Sequence, residues 1–151
     1  MRGFWLLAHF MGFSLWLGAG MATMIAGIAA KRYAPAERLA AYRLSGKIQG
    51  ILVAPGVVVT VVSGIALMRP FMGGTGMTAG LMVMIVAGLA GSAMALFFSV
   101  PLAQRMGRLE LDPRGELPEA LFALRKRQAV VASIAGGLAI VAMFGGTLFR
   151  Y

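Results

Sequence analysis

The sequence contains no cysteine, a single histidine, His9, and only five acidic residues among 151. Without thiols there is neither a disulfide framework nor thiolate metal ligation, and the redox compartment leaves no trace. All five acids, Glu37, Glu110, Asp112, Glu116 and Glu119, lie between the long hydrophobic runs. No carboxylate pair therefore sits at membrane depth for acid–base work or a proton relay. His9 has no acidic neighbour at its own depth, which argues against a serine hydrolase. Walker-type phosphate loops, dinucleotide fingerprints and His-rich zinc spacings are missing as well.

Charged residues make up 13% of the chain, hydrophobic residues 60%, and the mean hydropathy is +0.84. These values lie outside the usual range of soluble domains. A bilayer core about 30 Å thick needs roughly 20 apolar residues per helix. Four runs meet that need, at about residues 4–30, 49–68, 78–100 and 129–149. The expected fold is all-α: a polytopic membrane protein forming an antiparallel four-transmembrane-helix bundle, with residues 1–151 as one integral membrane domain. The first run is longer than a secretory signal core and reads as a retained helix.

The net charge of +9 raises the question of nucleic acid. Its basic residues cluster in loops between the spans, not on a face interleaved with exposed aromatics, so no nucleic-acid partner is expected. Topology accounts for them. Eleven of the fourteen Lys and Arg residues fall in the two longer loops, and only Arg2, Arg69 and Arg150 fall on the opposite side. The positive-inside rule then places both longer loops in the cytoplasm of a bacterial inner membrane and both termini in the periplasm. Lipid is the expected environment, and Arg38, Arg43 and Lys47 lie where anionic headgroups would meet them.

Within this frame, Pro35-Ala36-Glu37 reads as a proline-led helix start that runs on into the second span. Pro55 should bend that span. The second cytoplasmic loop is expected to begin at Pro101, to turn at Asp112-Pro113-Arg114-Gly115, and to lead from Leu117-Pro118-Glu119 into the last helix. The outer loop, residues 69–77, is glycine-rich and fits a tight connection. Small residues recur every four positions: Ser14, Gly18, Ala22 and Ala26; Gly56, Thr60 and Gly64; Ala87, Gly91, Ala95 and Ser99; Ser133, Gly137 and, after a gap at Val141, Gly145. Such stripes let helices approach closely and predict a compact bundle, one of them being open to homo-oligomer contacts instead.

His9 is the leading candidate for function. An ionisable ring at membrane depth is costly, so it should face a helix, a cofactor or water rather than lipid. Trp5, Gly12, Phe13, Trp16, Gly20 and Thr23 share its helix face. Eight of the twelve methionines, including Met11, Met82, Met84 and Met143, fall in or near the same outer half as His9. Imidazole and thioether ligands suit copper, and either ligates haem iron. His9, Met11, Met82 and Met84 are accordingly the candidate metal ligands, and His9, Trp16 and Met143 the candidate cofactor contacts. A structural hydrogen bond from His9 to a neighbouring helix is the bland alternative, and methionine is in any case a common gap-filler between helices.

His9, Trp16 and Gly18 in a first helix, Glu37-Arg38-Leu39 in a basic loop, and Pro55 with Ser63-Gly64 in a second helix form a pattern. It resembles a group of small bacterial membrane proteins that includes the HemJ-type protoporphyrinogen oxidases and the membrane domain of copper resistance protein D. The HemJ likeness implies that His9 is a haem b ligand near the outer side. The copper-resistance likeness implies copper handling by His9 and the outer methionines. HemJ-type proteins carry a lysine early in helix three, where this chain has Ala79-Gly80-Leu81-Met82. That departure points away from tetrapyrrole oxidation, except in a divergent oxidase with another proton carrier, and leaves haem binding. The expectation is a haem- or metal-associated membrane protein without evident catalysis. The alternative is a non-catalytic structural subunit of a larger membrane complex.

Overall fold

A computed structural model describes residues 1–69 and 78–148. Most of the expected glycine-rich outer loop, with Met72 and Met77, and the last three residues, with Arg150, lie outside the described residues. Among the described residues six α-helices form: α1 (Arg2–Ala29), α2 (Pro35–Ile48), α3 (Ala54–Met68), α4 (Ala79–Met94), α5 (Val100–Gly107) and α6 (Glu119–Leu148). No strand occurs among the described residues. A π-helical turn, Gln49–Val53, joins α2 to α3, and a second, Ala95–Ser99, joins α4 to α5. The result is four continuous helices long and apolar enough to cross a membrane: Arg2–Arg32, Pro35–Met68, Ala79–Gly107 and Glu119–Thr147. Large apolar side chains such as Phe4, Ile51, Val86 and Phe97 point outward, as lipid contact requires.

Three of these helices extend beyond the apolar runs on the side of the two longer loops. The 34 residues of Pro35–Met68 measure about 51 Å at 1.5 Å per residue, well over the roughly 30 Å of a bilayer core. Hydropathy marks only the apolar part of each helix, so the more polar turns of α2 and those preceding the last run escape it. Pro101 is a correction of another kind, because the chain stays helical through it to Gly107. Each proline, Pro55 and Pro101, sits one residue beyond the end of a π turn. The residue before it donates its N–H five residues back, Ala54 to the Gln49 carbonyl and Val100 to the Ala95 carbonyl. Widening one turn is how the helix absorbs a ring that lacks an N–H and crowds the carbonyl four residues back.

The expected local starts and turns form. Pro35 opens α2, and the Asp112 carboxylate accepts from the Arg114 and Glu116 N–H groups. Gly115 completes that turn at φ +78°, and Glu119 opens α6. The four helices pack antiparallel, α1 mainly on α3 and α4 mainly on α6. One core surrounds Trp16 with Val53, Val57, Ala95, Ala135 and Ala139. A second, at the loop end, joins Leu39, Tyr42, Ala103, Met106 and Leu121. Beside it the Arg38 guanidinium lies 5.6 Å from the centroid of the Phe122 ring.

The small-residue stripes divide. Gly56 and Thr60 of α3 are buried, as are Ala87, Gly91, Ala95 and Ser99 in the third span. In α1 the buried positions are Gly12, Trp16 and Ala19, while Ser14, Gly18 and Ala22 are exposed. In the apolar run of α6 they are Ala135, Ala139, Ala142 and Gly145, while Ser133 and Gly137 are exposed. Four-residue spacing identifies a face but not which face another helix covers; in α1 the tryptophan face wins because it buries far more area.

Candidate functional site

His9 is positioned by the closest helix approach in the first pair. A Cβ at Gly12 would lie 2.7 Å from the Gly56 carbonyl oxygen, and one at Gly56 would lie 2.9 Å from the Gly12 carbonyl oxygen. Only glycine on both sides lets the two backbones meet in this way. Three residues before Gly12, the half-buried His9 ring reaches α3. Its Nδ1 lies 2.9 Å from the Thr60 carbonyl oxygen and 3.1 Å from Ser63 Oγ. Gly64 makes room for it: a Cβ there would stand 3.3 Å from His9 Cε1.

This arrangement fixes the chemistry of the ring. The Thr60 carbonyl can only accept, so Nδ1 carries a proton and donates it. The Ser63 hydroxyl is directed at backbone carbonyls of its own helix, Val59 and Thr60, and so meets Nδ1 as an acceptor. In the neutral imidazole Nε2 is then the unprotonated nitrogen. It makes no hydrogen bond among the described residues and is not among the enclosed unpartnered polar atoms. A histidine whose Nδ1–H is held by a carbonyl while Nε2 keeps its lone pair has the form that metal-ligating histidines usually take.

The other candidates do not gather around it. Trp16 is 4% exposed and lies at the bundle core, in an edge-on contact with Phe13 and close to Gly91. Met11, Met82 and Met143 are each about half exposed. Met84 sits in the α4–α6 interface, its sulfur 2.7 Å from where a Cβ at Gly146 would be. No cluster of three or more His, Cys, Asp or Glu side chains exists among the described residues.

At the loop end the structure assembles a polar group that periodicity did not single out. The Thr23 hydroxyl donates to the Gly20 carbonyl at 2.9 Å, and Gln49 Nε2 donates to Thr23 Oγ1 at 3.0 Å. Gln128 Nε2 lies 3.0 Å from Ser99 Oγ. Each π turn thus carries one polar side chain paired to an adjacent span, Gln49 to α1 and Ser99 to α6. Gln49 Oε1, Gln128 Oε1 and the Tyr42 hydroxyl are enclosed without a protein partner. An enclosed polar atom left unpaired costs about 1–3 kcal/mol. The signal available in the sequence was the pair of glutamines at the apolar edges of the second and fourth spans. Their partners are 26 and 29 residues away, beyond the reach of any local pattern.

No protein-family model matches the chain, and no curated protein or solved structure matches it.

Proposed function

We propose that this chain is a small membrane protein that binds haem b through Nε2 of His9, with no catalytic constellation of its own. The observation that carries the reading is the His9 Nδ1–H bond to the Thr60 carbonyl, which orients the ring and leaves Nε2 with its lone pair. Ser63 and Gly64 complete the seat, one as a second acceptor and the other as clearance. Haem, when bound, supplies one-electron exchange at iron. The chain's own part is to hold and orient the ligand nitrogen. Copper bound by His9 with methionines is the weaker form, because Met11, Met82 and Met143 are partly turned outward and Met84 is occupied between helices. The resemblance to HemJ-type and copper-resistance membrane proteins points to the same residue.

The test is the visible spectrum and metal content of the protein purified in detergent after growth with added haem precursor or copper. A Soret band present in wild type and absent in His9→Ala is expected. Protein that carries neither haem nor copper under both supplements refutes the proposal. In that event the same bonds, which join α1 to α3, leave His9 as a clamp in a packing subunit of a larger complex.

The proposed orientation puts the loop end in the cytoplasm and the N-terminus in the periplasm of a bacterial inner membrane, from the eleven-to-three distribution of basic residues. Because the chain lacks cysteine, Gly3→Cys and Ala36→Cys provide single thiols at opposite ends. Labelling of whole cells by an impermeant maleimide should mark Gly3→Cys alone; marking of Ala36→Cys alone reverses the orientation.

A further inference from the structure

α1 and α6 share the core around Trp16, Ala135 and Ala139, and nearer the loop end a cleft separates them. On α1 its wall runs from Gly20 to Ile28, and on α6 from Arg125 to Ser133, in each case along one helix face at three- and four-residue spacings. Because the helices are antiparallel, Ile28 and Arg125 mark one end of the cleft and Gly20 and Ser133 the other. Each wall rises about 12 Å, against about 15 Å for the hydrocarbon half of a bilayer. Gly12 brings helices together, but the glycines here hold them apart. A Cβ at Gly20 would meet nothing within 4 Å, and one at Gly27 would meet only Tyr42, at 3.9 Å.

The cleft opens sideways, beside the exposed Met24 and Ile28, onto the surface that a spanning helix turns to lipid. Its surface is mostly apolar, since the unpartnered atoms of Tyr42, Gln49 and Gln128 are enclosed behind it. A volume of about 140 Å³, near that of a site that admits benzene, gives room for part of one acyl chain. The charged group in the lining is the half-buried Arg125, at the loop end, and no carboxylate lines the cleft. Lys31 and Arg32, both exposed, follow Ile28 by three and four residues and add positive charge at the same end. An apolar slot open to lipid, with cations at the level of the headgroups, is complementary to a lipid whose headgroup is anionic.

We propose that this cleft binds one anionic phospholipid, with an acyl chain between α1 and α6 and its phosphate on Arg125. The proposal does not depend on the role of His9.

Native mass spectrometry of the detergent-purified protein, titrated with dioleoyl phosphatidylglycerol or dioleoyl phosphatidylcholine, tests it. The acyl chains are identical and the headgroups differ in net charge. One phosphatidylglycerol per chain should bind saturably, at least about fivefold tighter than phosphatidylcholine. Arg125→Gln should bring the two lipids level. Lys47→Gln removes an exposed charge at the same end but outside the cleft, and should leave the preference intact. Gly20→Leu, which fills the slot, should abolish the saturable site while the melting temperature is retained. If that variant misfolds, Arg125→Gln at the rim decides alone. Glycerol 3-phosphate, a headgroup without chains, should not compete. Equal affinity for the two lipids in wild type, a preference that survives Arg125→Gln or is lost in Lys47→Gln, saturable binding undiminished in folded Gly20→Leu, or competition by glycerol 3-phosphate would each overturn the proposal.

Discussion

At one end of α1, His9 meets a backbone brought within reach by glycines that touch; at the other, Thr23 meets Gln49 beside a glycine that touches nothing. The two regions lie on one helix face and use the same small vocabulary of glycine, hydroxyl and carbonyl. At the His9 end glycine removes space, and Nδ1, Thr60 and Ser63 satisfy one another, leaving Nε2 as the single free function. At the loop end glycine preserves space, and Gln49 Oε1, Gln128 Oε1 and the Tyr42 hydroxyl are enclosed without a protein partner. Identical residue types therefore indicate rigidity in one place and capacity in the other, and only the distance to the next backbone tells them apart.

Substitutions that exchange these properties break the comparison most directly. Gly12→Leu should have the largest effect. Its Cβ would press on the Gly56 carbonyl and the Thr60 backbone, neither of which can rotate away, so a loss of about 3 kcal/mol or outright misassembly is expected. Thermal melting followed by size-exclusion fluorescence measures it. Gly18→Leu is the control on the same helix, with nothing within 4 Å of its Cβ, and should leave the melting temperature within about two degrees of wild type.

Next in size is His9→Ala in protein stripped of any ligand. Interhelical hydrogen bonds in membranes contribute about 0.6 kcal/mol on average and about 1.7 at most, so a loss of about 1 kcal/mol is expected. A loss several times larger would mean that the ring is chiefly a structural clamp. Gly64→Val tests the seat without removing the ring, since its side chain would push His9 Cε1. The expected outcome is a shifted or weakened Soret band with a stability change of about 1 kcal/mol. Smallest is Ser63→Ala. The Thr60 carbonyl still holds Nδ1, so a change of about 0.5 kcal/mol and an unaltered spectrum should be found; a lost spectrum would make Ser63, not the carbonyl, the group that sets the tautomer.

The existence of four spans, the proline start of α2, the Asp112 turn and the start of α6 were readable because each depends on neighbours within a few residues. The His9-to-α3 contact was readable in part: Gly56, Thr60 and Gly64 mark the right face of α3, and cost alone forbids His9 to face lipid. The stripe choice in α1, with Gly18 outward and Gly12 inward, was not readable, since both carry the same four-residue signal. Likewise Pro101 looked like a loop start because a proline ends a helix unless the preceding turn can widen, which the Ala95–Ser99 turn does.

What the sequence determined by itself is the helical class, with four helices long and apolar enough to cross a membrane, and the uniqueness of His9. Tertiary structure decided which nitrogen of that ring is engaged and which is free, because that depends on a carbonyl 51 residues away. It also decided that the Gln49 amide turns its nitrogen to Thr23, because the direction of an amide is set by the proton of a hydroxyl on another helix. Hydrophobicity is a property of each residue and adds along the chain, whereas hydrogen-bond direction exists only between groups that folding has brought together.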